Sequence, residues 1–396
     1  MQTGSKQESP PRKPNLLENL FLGVTIGEVP KLIPGVLLSV SLVAVVIFLT
    51  NLGNSALGFK GLISPILVVI VVGILIRNLI TIPAMCKPGI RFCLQKLLRL
   101  GIILMGIRLS IIEVFNIGIW GVLIVIVCVL TGLLVTTYFG QLLKIPARLA
   151  TLIAIGTGIC GASAIVAAAP GIGAKDEEVT YAVANITVFG IIALIAYPFI
   201  AHWLFSSDTT MIGLFTGTSI HETAQVAASG LIYDQTFFTT TSPTAADVAM
   251  VTKLVRNVLM VLVIPAMTFL YTRQNGLVRD TSGPAYKRIL NLFPLFVVGF
   301  LFLAVIRSIG DAGLQQGGSA FGLWDVNSWA MITGDVKEWS GYILATAMAG
   351  VGLGTSFRSM RGLGLRPFYV GLCAAATVGV IAAVMVFWLG PLVKIS

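Results

Sequence analysis

Charge is what this sequence lacks most. Asp, Glu, Lys and Arg make up 11% of its 396 residues, against 56% hydrophobic residues and a mean hydropathy of +0.96. A soluble domain carries about 25% charged residues, so a soluble globular fold is excluded. Low charge with high apolar content also excludes disorder. The 42 glycines follow no three-residue period, which excludes collagen. Histidine is nearly absent, with only His202 and His221. The cysteines are few and odd in number: Cys86, Cys93, Cys128, Cys160 and Cys373. Most sit in apolar runs, so no disulfide framework is expected. Cys86 and Cys93 have no third ligand nearby, so no metal site is expected there.

What the chain has is apolar runs of membrane-spanning length, which need about 20 residues each. They predict an all-α polytopic membrane protein with about eleven segments: 32–50, 63–82, 92–112, 118–142, 149–170, 179–204, 211–231, 248–271, 289–308, 341–357 and 367–391. Residues 1–31 are polar, with Pro10, Pro11 and Pro14, and read as a loose cytoplasmic tail without a cleavable signal. Residues 32–396 then form one transmembrane transporter domain.

Orientation follows from the Lys/Arg asymmetry of the loops. With the N-terminus in the cytoplasm, seventeen of the 26 cations fall inside and only Lys60, Lys175, Lys337 and Lys394 outside. The remaining five lie within spans: Arg77, Arg108, Lys253, Arg256 and Arg307. Snorkelling to the interface is the expectation for Arg77, Arg108 and Arg307. The net charge of +10 is therefore an orientation signal, and nucleic-acid binding is not invoked.

Two internal echoes suggest inverted repeats, a common transporter design. Residues 105–118 (MGIRLSIIEVFNIG) echo 351–364 (VGLGTSFRSMRGLG), and Val71–Val72–Gly73 echoes Val297–Val298–Gly299. Residues 156–165 (GTGICGASAI) echo 217–226 (GTSIHETAQV). The segments 149–170 and 211–231 are accordingly interrupted or re-entrant. The loop 171–178 mixes Lys175 with Asp176, Glu177 and Glu178, so charge counting leaves both readings open.

The chemistry concentrates at these two breaks. Gly156, Gly158 and Gly161 have GxGxxG spacing, but no strand precedes them, so a nucleotide fingerprint is rejected. Glycine and hydroxyl residues instead allow an unwound stretch with a helix resuming near Ala162, its positive end aimed at a cavity. The backbone of 157–162, with Thr157, Gly158, Gly161 and Ser163, is a candidate substrate site. In the second motif Thr218, Ser219, His221 and Gln225 join it. Ionisable groups inside a membrane are costly and functional by default, so His221 and Glu222 are candidates for proton coupling. HExxH would need a histidine where Gln225 stands, so a zinc protease is excluded.

Lys253, Arg256 and Asn257 share one face of the next helix by i, i+3, i+4 spacing. Lys253 lies about 8 Å from the helix start and could snorkel, while Arg256 lies about 12 Å in. Both are expected to attract an anion. Asn185 and Thr187 hold the equivalent place after the first motif and are expected to line the same cavity. Asp234 and Asp247, beside a Thr/Ser-rich loop, read as solvated.

The stretches GTGICGASAI (156–165), GTSIHETAQVAASG (217–230), KLVRN (253–257) and LLRLGIILMGIRLS (97–110) resemble the YeiH-like family of bacterial inner-membrane proteins, called sulfate exporters. The resemblance covers about residues 60–395. It implies a secondary transporter of the cation/proton antiporter and anion transporter superfamily, with inverted repeats, a scaffold domain and a core domain of interrupted helices. At 352–358, GLGTSFR departs from the family pattern in lacking an acidic residue.

The sequence therefore reads as a secondary active transporter of a small sulfate-like anion, sulfite and sulfonates included, exported with proton coupling. Its partners would be the anion, protons or another coupling ion, and the lipid bilayer; no cofactor is called for. A passive anion channel is the alternative. An intramembrane enzyme lacks a nucleophile–base–orienter set, because Cys160 and Ser163 lie on a different segment from His221. Homodimerisation is left open, with the first span (32–50) as a candidate interface.

Overall fold

A computed structural model describes residues 18, 22–57, 64–275, 292–356 and 364–393. Most of the 1–31 tail, the Phe357 and Arg358 of the last echo, and Lys60 and Lys394 lie outside the described residues. Among the described residues the chain is all helix, apart from one isolated bridge between Ala320 and Trp324.

The helices are α1 (Ile33–Leu57), α2 (Pro65–Leu79), α3 (Lys87–Phe92), α4 (Leu98–Met105) and α5 (Ile111–Leu142). Next come α6 (Ala147–Gly158), α7 (Ala162–Ile172), α8 (Asp176–Phe205), α9 (Thr209–Ser219) and α10 (Thr223–Thr236). The last five are α11 (Ala245–Val258), α12 (Met260–Gln274), α13 (Leu295–Gly317), α14 (Val326–Gly354) and α15 (Leu365–Leu389). The starts of α2, α5, α9, α11 and α14 carry polar caps for their orphan N–H groups. Ser110 and Glu113 form a capping box on α5, and Thr244 and Asp247 form one on α11.

Five helices, α1, α5, α8, α13 and α15, are long and apolar enough to cross a membrane. A sixth is gained if α11 and α12, bent by 40°, count as one span. The expectation of about eleven membrane segments, two of them interrupted or re-entrant, is thus corrected to five or six described helices that meet this test. Segment 63–82 holds a helix of only 15 residues, Pro65–Leu79. Segment 92–112 is broken by a π-turn at Cys93–Leu97 and a 3-10 turn at Gly106–Arg108. Segments 149–170 and 211–231 are each two short helices.

Those two broken segments fold back as hairpins. Packing at the echoed glycines fixes their direction. Gly140 lies against Ala150 and Gly158 against Leu133, so α6 runs antiparallel to α5. Gly156 meets Ile165 across the break, so α7 turns back beside α6. Leu149 at the start of α6 and Ile172 at the end of α7 share one buried cluster with Phe139, Leu143 and Val179. Both ends of this hairpin therefore sit where α5 ends and α8 begins, here termed the near end.

The second hairpin enters from the far end, where α8 finishes. Gly213 packs on Val248 and Gly217 on Thr252, so α9 runs parallel to α11. Gly230 packs on Ala246, and Asn257 reaches Thr223 at 3.2 Å, so α10 runs antiparallel to it. Asp234, late in α10, accepts hydrogen bonds from the first amides of α11, Ala245 at 3.0 Å and Ala246 at 3.1 Å. Both breaks thus turn the chain back as hairpins, one from each end.

The other echo also marks helix contacts. Gly73 of α2 lies against the Gly352 backbone of α14, and Gly299 of α13 lies against Ile103 of α4. Gly106 in turn meets Phe300. Small residues at both places let backbones approach closely. The echoed features come in the order Gly73, Gly106, hairpin in the first half and hairpin, Gly299, Gly352 in the second.

Candidate functional site

The tips of the two hairpins meet beside α11. α6 ends at Gly158 and α9 at Ser219; α7 starts at Ala162 and α10 at Thr223. These are equivalent positions of the two echoed motifs. Gly161, before α7, has φ +74° and ψ −129°, a conformation that only glycine takes without strain, and it faces Glu222 and Ile186.

Arg256 and Lys253 hold the crossing together, both with 0% exposure. Arg256 donates from Nε to the Gly158 carbonyl at 2.9 Å. Its Nη1 donates to Thr218 at 2.7 Å and Ile220 at 3.2 Å, and its Nη2 to Thr157. Lys253 Nζ donates to Ile159 at 3.0 Å, Ile220 at 2.9 Å and His221 at 2.5 Å. Each cation thus bonds an echo-equivalent pair of carbonyls. Arg256 takes Thr157 and Thr218; Lys253 takes Ile159 and Ile220. The two side chains join the hairpins to each other.

The placement has an electrostatic reason. α6 and α9 both point their C-terminal, negative ends at this spot, with carbonyls that no helix turn satisfies. Two buried cations balance those ends, and in turn find all their acceptors there. The expected snorkelling of Lys253 is corrected: its ammonium points inward, and its three N–H groups are all engaged.

The positive ends of α7 and α10 face a more open side. Ser163 is exposed, while Ala162, Glu222 and Thr223 are half-buried. No described residue donates a hydrogen bond to the Glu222 carboxylate. His221 is buried, and its Nδ1 has no hydrogen-bond partner.

Several expected site residues do other work. The Thr218 and Ser219 hydroxyls donate back to Leu214 and Phe215 in their own helix. Their main chain, not their side chains, faces the crossing. Asn185 turns away to the last helix, donating to the Pro367 carbonyl at 2.7 Å and packing on Gly371. Gln225 packs on Gly190 and reaches the Thr187 carbonyl at 3.4 Å. Thr187's hydroxyl bonds its own helix at Val183. The Thr157 hydroxyl is buried without a partner.

Asp234 and Asp247 are corrected as well, from solvated loop residues to packed ones. Asp247 is buried in its capping box, and its Oδ1 lies 3.7 Å from Nη1 of Arg108. Arg108 also donates to the Lys337 carbonyl at 3.3 Å, so it does not snorkel free. Arg307 pairs with Asp311 at 2.6 Å. The [ST]-x-x-[DE] pattern at Thr244–Asp247 was the available signal for a helix start there. Among the described residues no group of three His, Cys, Asp or Glu is placed to hold a metal.

A family profile described as "Conserved hypothetical protein 698" matches residues 34–371, which include both hairpins and α11. The chain belongs to this family. A UPF0324 membrane protein of Corynebacterium glutamicum is 31% identical over 374 residues, covering 93% of this chain and 96% of that protein. One of Pseudomonas aeruginosa is 32% identical over 356 residues, covering 86% and 90%. One of Bacteroides thetaiotaomicron is 31% identical over 312 residues, covering 78% and 85%. The YeiH-like resemblance points to this same UPF0324 family. These relatives' names state a membrane protein and no substrate. With the apolar helices above, they make this a multi-pass membrane protein.

Proposed function

We propose that the chain is a secondary transporter of a small anion, with its binding place at the open side of the hairpin crossing. The observation that carries this reading is the division of labour at the two tips. The negative ends of α6 and α9 are neutralised by Lys253 and Arg256, through seven hydrogen bonds to main-chain carbonyls. The positive ends of α7 and α10 receive no side-chain cap hydrogen bond, and they border Ser163 and Glu222. Helix N-termini with free amides favour anions. Two buried cations close behind them raise the local potential further.

In this reading Arg256 and Lys253 shape the site and set its field without touching the anion. The contacts come from the amides at 162–163 and 223 and from the Ser163 hydroxyl. Glu222 is the coupling group. Its carboxylate borders the same space, so an anion and an ionised Glu222 repel each other, and protonation of Glu222 admits the anion. A compact sulfate-like oxyanion suits this field best.

The membrane arrangement follows. Nine crossings are made by α1, α2, the α3–α4 run, α5, α8, the bent α11–α12 pair, α13, α14 and α15, and the two hairpins enter halfway. The near end faces the bacterial cytoplasm, because Lys144, Arg148 and Arg273 gather there, and Lys175, expected outside, moves to that side with the hairpin.

The test is flux in proteoliposomes loaded with radiolabelled sulfate, sulfite or a small sulfonate, under an imposed pH gradient. Coupled transport predicts flux that follows the gradient in the native chain and ignores it in Glu222→Gln. Flux driven only by the anion's own gradient in both proteins would make the path a passive anion channel. No flux of any anion would refute the reading.

A further inference from the structure

A second basic feature lies apart from the crossing. Where α2 ends, α3 begins and α14 ends, a cavity of about 350 Å³ opens. Arg77, Lys87, Arg91 and Gln95 line it, with Ile90 and Leu353 among its apolar walls. A smaller cavity of about 100 Å³ adjoins it through the shared Arg77 and is bordered by Leu79 and Ile80. Among the described residues no acidic side chain lines either one.

The cations here differ from the rest of the span-embedded set. Arg108, Lys253, Arg256 and Arg307 are each bonded to an internal carboxylate or carbonyl. Arg77 bonds no described residue through its side chain, and neither do Lys87 and Arg91. A positive-inside bias accounts for the number of cations at a helix end. It does not account for three of them, from two helices, converging on one concave space.

The surroundings narrow the ligand. The space is in the range of small-molecule sites, about 300–1,000 Å³, and three helix ends place it at headgroup level. Next to it Leu79 is 80% exposed, Met85 64% and Ile80 61%. That apolar apron suits acyl chains and is of no use to a free ion. Basic pockets between membrane helices are suited to lipid phosphates.

We infer that this cavity holds the headgroup of an anionic glycerophospholipid. Arg77, Lys87 and Arg91 face the phosphate oxygens, Gln95 bonds the polar glycerol part, and the acyl chains run over Leu79, Ile80 and Met85.

The experiment is native mass spectrometry of the full chain, released from micelles holding equal phosphatidylglycerol and phosphatidylcholine. The native chain should retain phosphatidylglycerol preferentially. The triple variant Arg77→Gln, Lys87→Gln, Arg91→Gln should bind it roughly a hundredfold more weakly, at about 1 kcal/mol per cation. Arg77→Lys with Arg91→Lys should keep the preference. Should the triple variant fail to fold, Lys87→Gln with Arg91→Gln changes only exposed side chains and should still lose roughly thirtyfold. Equal retention of both lipids by the native chain, or undiminished phosphatidylglycerol in the neutral variants, would overturn the inference. So would millimolar inorganic phosphate that stabilises the native chain as much as the lipid does and has no effect on the neutral variants. That result would assign the cavity to a soluble phosphate.

Discussion

Replacing Arg256 by Gln should destabilise the folded protein more than any exposed substitution near the crossing. The native guanidinium makes four hydrogen bonds, to Thr157, Gly158, Thr218 and Ile220. The Ile220 carbonyl keeps its bond from Lys253, and a glutamine amide has two N–H groups for the other three, so at least one buried carbonyl loses its donor. Each abandoned carbonyl costs about 1–3 kcal/mol. Losing the charge removes a further contribution of about 0.3–1 kcal/mol at each of the two helix C-termini. The sum is on the order of 2–5 kcal/mol, a large part of the 5–15 kcal/mol that holds a typical fold. At about 2–4 °C per kcal/mol, as for soluble domains of 150–250 residues, thermal unfolding should begin on the order of 10 °C earlier. Ser163→Ala, at the exposed start of α7, is the control and should unfold with the native chain. Thermal unfolding in detergent, followed by tryptophan fluorescence, reads both. An Arg256→Gln midpoint within about 1 °C of native would refute the claim that this side chain joins the hairpins.

Three further outcomes are expected. Gly161→Ala forces a side chain into a backbone conformation reserved for glycine and should cost about 1–3 kcal/mol, read as a lower unfolding midpoint; an unchanged midpoint would mean the tip has another shape. Cysteines placed at Asp176 and at Thr240 should react with an impermeant thiol reagent from opposite faces of oriented vesicles. Labelling of both from one face would contradict the re-entrant hairpins. Arg108→Gln and Asp247→Asn should each lower stability, and a double-mutant cycle should give a coupling of about 0.5–3 kcal/mol; additive losses would show that the 3.7 Å pair contributes nothing.

The places where the helices break were readable in advance, and the way they fold was not. Gly156, Gly158 and Gly161 mark an interruption, and the helix does resume at Ala162. Hydropathy cannot tell a hairpin from a kinked crossing, because both bury the same apolar residues. The mixed charges of Lys175–Glu178 removed the one remaining signal. The roles of Lys253 and Arg256 were hidden for a different reason. Their acceptors are main-chain carbonyls, which any residue type supplies, so no pattern in the side chains announces them. Asn185 was misplaced because its partner, the Pro367 carbonyl, is 182 residues away on α15. Asp247 reads as a solvated residue because it follows the Thr/Ser-rich run 239–244, although Thr244 and Asp247 spell a helix cap.

The seven bonds at the crossing also bear on how the chain is made. A helix with Lys253 and Arg256 at mid-depth is a poor candidate to enter lipid alone, at about 2.5–3.5 kcal/mol for each cation near a helix centre. Every acceptor for those cations lies earlier in the chain, at 157–159 and 218–221. The ribosome therefore delivers both sockets before it delivers the plug. Insertion of α11 becomes a docking event onto hairpins already waiting, and the order of the genes' codons is itself part of the assembly mechanism.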